Sequence, residues 1–254
     1  MKLTAADRQR QILADMGIDV WLLRENPGAT GDDSAIANYA DISTESTTFA
    51  TKAALPRQGE NNTQNNVVAA LTILQKEVHN CHRCDLSKSR TQTVFGTGSA
   101  QAELLLIGEA PGADEDRQGK PFVGKAGQLL DAMLFSIGFQ RSQVFICNVL
   151  KCRPPNNRDP RPDEVEACSR FLSAQIETVK PKVILALGRF AAHRLLETEA
   201  PVYKMREASN ILPGTDIPVV VTYHPASLLR NPDQKLHSWQ DLCRVHQLLE
   251  SSRI

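Results

Sequence analysis

The chain has 254 residues, of which 23% are charged, and its 29 basic side chains match its 29 acidic ones. This balance by itself does not indicate binding to nucleic acid or to acidic membranes, and no apolar run is long enough to predict a membrane-spanning helix. The polar N-terminus lacks the apolar core of a secretory signal, so we expect a cytoplasmic location.

Two segments precede the main part of the chain. Residues 1–24 carry apolar side chains at helical spacing, followed by the apolar stretch VWLL. This pattern predicts a short helix or docking peptide that is too small to fold alone. Residues 25–66 are rich in Asn, Thr, Ser, Ala, Gly and Gln without apolar periodicity, which predicts a flexible linker and leaves 67–254 as the main domain.

Residues 67–254 alternate between strand and helix signals. The predicted strands are 103–107, 144–149, 183–187 and 218–222, and the predicted helices are 67–78, 127–137, 162–179, a segment that follows Gly188 and ends at about residue 197, and 236–249. Such alternation predicts an α/β fold with a parallel sheet covered on both faces. Ligands of these sheets bind beyond the carboxyl ends of the strands, so the segments that follow the strands are the candidate site.

Four of the six cysteines have the spacing of a metal site. Cys81 and Cys84 form a C-x-x-C pair, Cys152 follows the second predicted strand, and Cys168 lies in the next predicted helix. Four thiolates suit zinc or an iron–sulfur cluster, and the spacing alone does not choose between them. The alternative is that Cys152 and Cys168 are free cysteines in a packed domain.

The segment after the first predicted strand, GEAPGADEDRQGKPFVGKAGQLL, combines glycines with acids. Its glycines allow backbone N–H groups to approach a ligand, and the following helix offers a positive N-terminus for a phosphate. Its carboxylates, Glu109 and Glu115 among them, do not fit a pure phosphate cradle. They fit better with stabilising a cation or holding a water molecule.

Polar side chains also follow the second and the fourth predicted strands. Asn148 carries the donor and the acceptors needed to read a base edge, although capping a turn is an alternative role. His224 can serve as an acid, a base or a neutral donor, and Arg230 can meet a phosphate. The basic residues after Asn148 that can add phosphate contacts are Lys151, Arg153, Arg158 and Arg161.

Together these motifs resemble the iron–sulfur uracil-DNA glycosylases, also called family four or type four. The resemblance rests on CHRCDL, GEAPGADEDRQGKPFVGKAGQLLD, NVLKCRPPNNRDPRPDEVEAC and HPASLLR, which occur in this order. It implies the uracil-glycosylase fold, a four-stranded parallel sheet between helices, here with an N-terminal extension. It also implies hydrolysis of the N-glycosidic bond of uracil in DNA and a 4Fe-4S cluster held by Cys81, Cys84, Cys152 and Cys168.

The resemblance further implies roles for single residues. Gly108, Glu109 and Ala110 line the uracil pocket. Phe122 stacks on the flipped base and Asn148 reads its Watson–Crick edge. The related cross-linking subfamily carries Gln at the position of Ala110 and a basic insertion after the second strand. Neither is present here, so we expect hydrolysis and not a covalent trap.

The implied catalytic residues are His224, Glu109 and Glu115. His224 reaches the uracil O2 and stabilises the charge of the leaving uracil anion. A carboxylate favours the cation-like sugar and the attack of water on it. We expect Glu109 and Glu115 both to take part, with Glu109 nearer the base, and the cluster to be structural.

The N-terminal segment lies outside this family pattern. Its LADMGIDVWLLR resembles a short peptide of the psi subunit of the bacterial DNA polymerase III clamp-loader assembly. The hypothesis is that residues 5–24 tether the enzyme to the replication machinery, and the alternative is a helix folded against the main domain. For the whole chain, the competing interpretations are a non-catalytic DNA-binding module and a nucleotide-binding zinc protein.

Overall fold

The computed structural model describes the backbone of residues 58–252 and the side chains of residues 65–252. The predicted docking segment and most of the predicted linker therefore lie outside the described residues. The described part is an α/β fold in which helices cover both faces of one sheet, which confirms the predicted fold class.

Six strands of the described residues form this sheet. They are β1 (Thr97–Gly98), β2 (Leu104–Gly108), β3 (Phe145–Asn148), β4 (Val183–Leu187), β5 (Asn210–Ile211) and β6 (Pro218–Thr222), in the spatial order β1-β3-β2-β4-β6-β5. The four central strands are parallel, as predicted, and the edge strands β1 and β5 pair antiparallel with β3 and β6.

The helices surround the sheet. They are α1 (Gln58–His79), α2 (Leu86–Ser89), α3 (Ala113–Gln118), α4 (Lys125–Ser136), α5 (Pro162–Val179), α6 (Arg189–Leu196), α7 (Val202–Glu207), α8 (Pro225–Arg230) and α9 (Lys235–Ser251), with 3-10 turns at Pro155–Asn157 and Pro232–Gln234. In the part of the chain that the structure describes, no helix has the length and apolar composition needed to cross a membrane.

The alternation of side chains along each strand divides the core into two layers. In β2, Leu105 and Ile107 join the layer formed with α1, α5, α6 and α7, whereas Leu104 and Leu106 join the layer formed with α4, α8 and α9. All four side chains are fully buried. A strand covered on both faces must be apolar at every position, and this explains the unbroken run of β2.

Short elements account for most differences from the predicted secondary structure. β1 and β5 have two residues each, and α3, α7 and α8 have six each, too few to produce a recognisable period. In addition, α1 begins at Gln58, so residues 58–66, predicted as linker, are helical. Extending an existing helix is much easier than nucleating one, so polar residues can continue it.

Candidate active site

The predicted site residues meet at the carboxyl ends of the parallel strands. Gly108 and Asn148 end β2 and β3 and are direct partners across these strands. Glu109 and Ala110 continue the chain from β2, and His224 caps the N-terminus of α8 just after β6. Residues separated by more than a hundred positions are therefore brought to one edge of the sheet, as the parallel topology predicted.

These side chains surround a cavity of about 420 Å³, which is within the usual size range of small-ligand sites. Of the predicted site residues, those that line it are Glu109, Ala110, Glu115, Phe122, Asn148, His224 and Arg230. The cavity has an aromatic wall, an amide, an imidazole and two carboxylates, which suits a flat polar ligand.

Gly108 lies behind this cavity and allows its walls to approach each other. A Cβ at position 108 would stand 2.4 Å from Asn148 Oδ1 and 2.6 Å from Phe122 Cζ, far closer than atoms can pack. The absence of a side chain therefore lets the amide and the aromatic ring lie side by side, and any larger residue would displace one of them.

The backbone of Phe122 is held in an unusual conformation. Its φ of 53° lies in the left-handed region, which aromatic residues rarely adopt. Arg141 Nη1 donates to the Phe122 carbonyl at 3.1 Å, and the same guanidinium also donates to the Pro121 carbonyl. A Cβ at Gly127 would stand 1.8 Å from the Phe122 oxygen, so glycine is needed where α4 passes this turn. These contacts fix the ring at the cavity wall.

Asn148 carries a buried acceptor without a donor. Its residue is only 2% exposed, and its Oδ1 has no hydrogen-bond partner among the described residues. Buried polar atoms in native proteins nearly always have a partner, so an unpaired one at a cavity is placed to accept a hydrogen bond from a bound ligand. The ligand that fits this position presents an N–H group to Oδ1.

His224 is held as a neutral imidazole with a defined tautomer. Its Nδ1 accepts a hydrogen bond from the Ala226 N–H at 3.1 Å, which leaves the proton on Nε2. Burial and the positive charge of Arg230 lower the pKa of His224 to about 4, against a smaller opposing effect of Glu115. Its ring stacks on Phe122 with centroids 5.5 Å apart. At neutral pH it is a donor without charge.

Glu109 is a carboxyl group with an unusually high pKa. Burial, followed by the negative charge of Asp159, raises its pKa to about 7, and Arg189 partly opposes this shift. Asp159 and Arg189 form a surface ion pair with a separation of 3.3 Å. A carboxylate that titrates near neutrality is suited to taking a proton during a reaction.

Glu115 also lines the cavity, but its carboxylate is already engaged. It accepts hydrogen bonds from the backbone N–H groups of Gly112 at 3.1 Å, Val123 at 2.9 Å and Gly124 at 3.3 Å. The first contact closes the start of α3, and the other two fix the chain directly after Phe122. The geometry therefore supports an organising role for Glu115 more directly than a role with water.

The end of β6 is fixed from behind by a buried ion pair. Arg206 and Asp241 are 6% and 1% exposed and form two hydrogen bonds, of 2.7 and 2.9 Å. The guanidinium of Arg206 also lies 5.2 Å from the ring centroid of Tyr223, the residue before His224. This ion pair anchors the segment that carries the imidazole.

The prediction that four basic residues after Asn148 face phosphates is partly wrong. Lys151 is 1% exposed and lies inside the domain, because a carbonyl and a side-chain amide hydrogen-bond its ammonium there. Arg158 pairs with the buried Glu164, with Nη1 to Oε2 at 2.9 Å. Of this set, Arg161 is exposed and Arg153 half-buried.

The four predicted ligand cysteines meet at a second, small cavity. Those that line it are Cys81, Cys84, Cys152 and Cys168. Two N–H groups donate to their sulfurs, Arg90 Nη1 to Cys152 Sγ at 3.1 Å and the Lys151 backbone N–H to Cys168 Sγ at 3.3 Å. The cysteines thus join the end of α1, the loop after β3 and α5 at one place.

The chemistry of these thiols suits a bound metal group. Burial raises the pKa of Cys168 to about 11, and it also raises those of Cys84 and Cys152, so free thiolates are disfavoured there. Bound metal overcomes this by deprotonating the thiols outright. Within residues 65–252, no three His, Cys, Asp or Glu side chains are arranged to hold one metal ion. The observation that points to a metal group is therefore the convergence of four soft thiol donors on one cavity.

Three residues that shape the site were not found from the sequence. Arg141 holds Phe122, Asp159 acts on Glu109, and Lys151 lies beneath Asn148. Arg141 and Asp159 are charged residues in polar stretches, which in a sequence is the pattern of a solvated surface, and Lys151 opens a run with three arginines. No periodicity or motif marks the partner that each one finds in the folded chain.

Comparisons with known proteins bear on this site. A sequence model described as Uracil DNA glycosylase superfamily matches residues 95–243. The chain is 42% identical over 190 residues to a type-4 uracil-DNA glycosylase of Archaeoglobus fulgidus, covering 70% of this chain and 93% of that protein. It is 43% identical over 192 residues to the type-4 uracil-DNA glycosylase of Saccharolobus solfataricus, covering 72% of this chain and 88% of that protein. It is also 43% identical over 168 residues to the type-4 uracil-DNA glycosylase of Thermotoga maritima, covering 65% of this chain and 86% of that protein.

Proposed function

This chain belongs to the uracil DNA glycosylase superfamily, and from that premise we propose that it is a DNA-repair enzyme that excises uracil. It hydrolyses the N-glycosidic bond between uracil and deoxyribose and leaves an abasic site. The observation that carries the proposal is the unpaired, buried Oδ1 of Asn148 in a cavity walled by Phe122. A uracil turned out of the DNA stack would supply the missing N–H group.

Base recognition follows from the amide of Asn148. Its Oδ1 accepts from the uracil N3–H, and its Nδ2 donates to the uracil O4. Cytosine presents the opposite pattern at both positions, so it would leave the buried Oδ1 facing another acceptor. Stacking on Phe122 replaces the stacking lost in the duplex, worth about 1–3 kcal/mol per base in comparable sites.

Departure of the base is assisted by His224. As the glycosidic bond breaks, its electrons pass to the uracil ring, which becomes an anion with negative charge on O2. The Nε2–H of the neutral imidazole donates a hydrogen bond to that oxygen. A donor already held in place by the Ala226 contact needs no reorganisation, so its full effect falls on the transition state.

We assign to Glu109 the stabilisation of the sugar and the activation of the attacking water. Its ionised carboxylate stabilises the cation-like deoxyribose, and it accepts a proton from the water that attacks the anomeric carbon. Glu115 is assigned the supporting role of holding the segment around Phe122, because three backbone N–H groups already occupy its oxygens. The exposed Arg230 at the cavity rim is assigned to the DNA backbone.

The test of this function is cleavage of a labelled oligonucleotide with one uracil, using protein purified without air. An abasic site breaks in alkali, so strand scission after alkali measures excision. The matched control oligonucleotide has cytosine at the same position and should remain intact. No scission from cluster-loaded protein would contradict the proposal and favour a non-catalytic DNA-binding role.

Excision should depend on pH through Glu109. Its carboxyl is protonated below a pKa of about 7, so kcat/KM should rise with pH through this value. Asp159→Asn removes the neighbouring negative charge that raises this pKa. The rising limb of the variant should therefore move to lower pH. His224, with a pKa of about 4, stays neutral throughout this range and adds no second limb.

The measurement is kcat/KM at a series of pH values for wild type and Asp159→Asn. Asp216→Asn, an exposed position after β5, removes the same charge far from the cavity and serves as the control. Identical limbs in all three proteins would show that Asp159 does not act on the group that controls the rate.

The finer assignment of the cysteine site is a 4Fe-4S cluster on Cys81, Cys84, Cys152 and Cys168. Four soft donors around one cavity support it, and the resemblance to the iron–sulfur uracil-DNA glycosylases favours it over zinc. A bound cluster supplies a cross-link between α1, the loop after β3 and α5. Iron and sulfide analysis of protein purified without air tests it, and stoichiometric zinc without iron would overturn it.

A tether is proposed for the segment outside the described residues. Residues 1–24 act as a docking peptide, with residues 5–24 contacting the clamp loader, and the chain up to α1 acts as a linker. Support comes from the resemblance of LADMGIDVWLLR to the psi-subunit peptide. Purified clamp-loader subunits should be captured by the full chain and not by its Trp21→Ala variant. Equal capture by both proteins would contradict the tether.

A further inference from the structure

Lys151 is a buried lysine at the junction of the two cavities. Its side chain is 1% exposed, and its Nζ donates to the Asn148 carbonyl at 2.6 Å and to Gln175 Oε1 at 2.5 Å. Its backbone N–H donates to Cys168 Sγ at 3.3 Å. One residue therefore contacts both the backbone of the base-reading asparagine and a sulfur of the cysteine site.

The charge of Lys151 has no carboxylate partner among the described residues. Both oxygens that accept from its Nζ belong to neutral groups, and no ion pair within residues 65–252 includes it. A buried ammonium without an opposite charge is strongly unfavourable. The buried Cys147 thiol also interacts with this ammonium, but burial raises the pKa of that thiol, so it does not supply the compensating negative charge.

The cysteine site can supply that charge. Lys151 lines the same small cavity as the four cysteines, and its positive charge acts on Cys168, lowering the pKa of that thiol against the larger effect of burial. Four thiolates around an iron–sulfur cluster leave a net negative charge at this place. Loading the site would therefore compensate the buried ammonium, and an empty site would leave it uncompensated.

The same ammonium also supports the base pocket. Asn148 is the last residue of β3, and its carbonyl is held by the ammonium while its unpaired Oδ1 remains available to the substrate. Gln175 completes the support from α5, because its Nε2 donates to the Phe95 carbonyl at 2.9 Å. Displacing the ammonium would free the backbone that orients the amide.

We propose that Lys151 is a positioning residue through which the loaded cysteine site fixes Asn148 for uracil recognition. The inference rests on the proposed function. It assigns no contact between Lys151 and substrate, and no proton transfer to it. The cysteine site and the base pocket would be coupled through Lys151. Its ammonium balances the negative charge of the loaded cysteine site and also holds the carbonyl of Asn148.

The test replaces Lys151 by methionine, which keeps an unbranched side chain, one atom shorter, and removes its charge. Partners that orient a site from outside typically change activity or metal affinity by about 10–100-fold, and we expect kcat for uracil excision to fall within that range. DNA affinity should change little, because Lys151 is not exposed. Chelators should also remove iron from the variant faster than from wild type.

Two further variants separate this role from a general loss of stability. Lys204→Met, at an exposed position on α7, is the matched control and should leave both readouts unchanged. Gln175→Met removes one support of the ammonium but keeps its charge. It should lower kcat by less than Lys151→Met and leave iron release unchanged, and it serves as the test if Lys151→Met fails to fold.

Unchanged kcat and unchanged iron release in Lys151→Met would overturn the inference, as would a lowered melting temperature without either effect. If wild type itself does not excise uracil, the proposed function fails separately. Two other measurements then decide the inference. One is the rate of iron release from Lys151→Met and from wild type, and the other is amide hydrogen exchange at residues 148–150 of wild type with and without bound iron. Exchange that does not respond to iron loss in wild type would contradict it.

Discussion

Asn148→Ala should lower kcat/KM for uracil excision by about 10³-fold or more, the largest effect expected of any substitution in the pocket. Losing a single preorganised donor typically costs 10²–10³-fold, and this change removes the donor to O4 together with the acceptor for N3–H. Single-turnover excision rates on a uracil-containing oligonucleotide measure the loss. Asn65→Ala, on the exposed surface of α1, is the control.

The same variant should keep its thermal stability. Leaving a buried polar atom unpaired costs about 1–3 kcal/mol, and Asn148 Oδ1 is such an atom in the ligand-free protein. Its removal therefore relieves an unfavourable term that offsets the lost packing. Loss of excision with an unchanged or higher melting temperature would identify a residue selected for its ligand. Activity that survives in Asn148→Ala would refute the assignment of the base-reading group.

The second large effect is expected for His224→Ala, which should lower kcat by about 10²–10³-fold with little change in KM. The hydrogen bond to the uracil O2 strengthens only as negative charge develops, so its loss acts on the transition state and not on binding. His224→Gln can retain a neutral donor and should recover part of the rate. His246→Ala, exposed on α9, should behave as wild type.

The pH dependence distinguishes this role from that of a charged histidine. With a pKa of about 4, His224 is neutral over the whole range in which the protein would work. The rate deficit of His224→Ala should therefore be the same at pH 6 and at pH 8. A deficit that grows as the pH falls would mean that the imidazolium carries the effect, contrary to the geometry at Nδ1.

The central sheet was predictable because each parallel strand is buried on both faces. The apolar runs of β2, β3, β4 and β6 leave no other interpretation, and the polar residues that follow them mark the site. The resemblance to a known family then assigned Phe122, which periodicity alone does not single out. Its left-handed backbone is held by a hydrogen bond from Arg141, which follows Phe122 in the sequence only after the whole of α4.

Lys151 shows why the rest was not predictable. A lysine at the start of the basic stretch 151–161 normally belongs to the surface, and this expectation failed because its partners come from Gln175 and from the backbone of Asn148. The burial of a charged side chain depends on contacts made only after the sheet and α5 have packed. Sequence patterns describe the period of an element and not the partners that a folded chain brings to it.

The order of the elements along the chain has a consequence for biosynthesis. The four predicted ligand cysteines, Cys81, Cys84, Cys152 and Cys168, all precede β4 in the chain. His224, which the cavity also needs, follows the last parallel strand. A chain emerging from the ribosome therefore presents these four thiols before the histidine that completes the cavity wall.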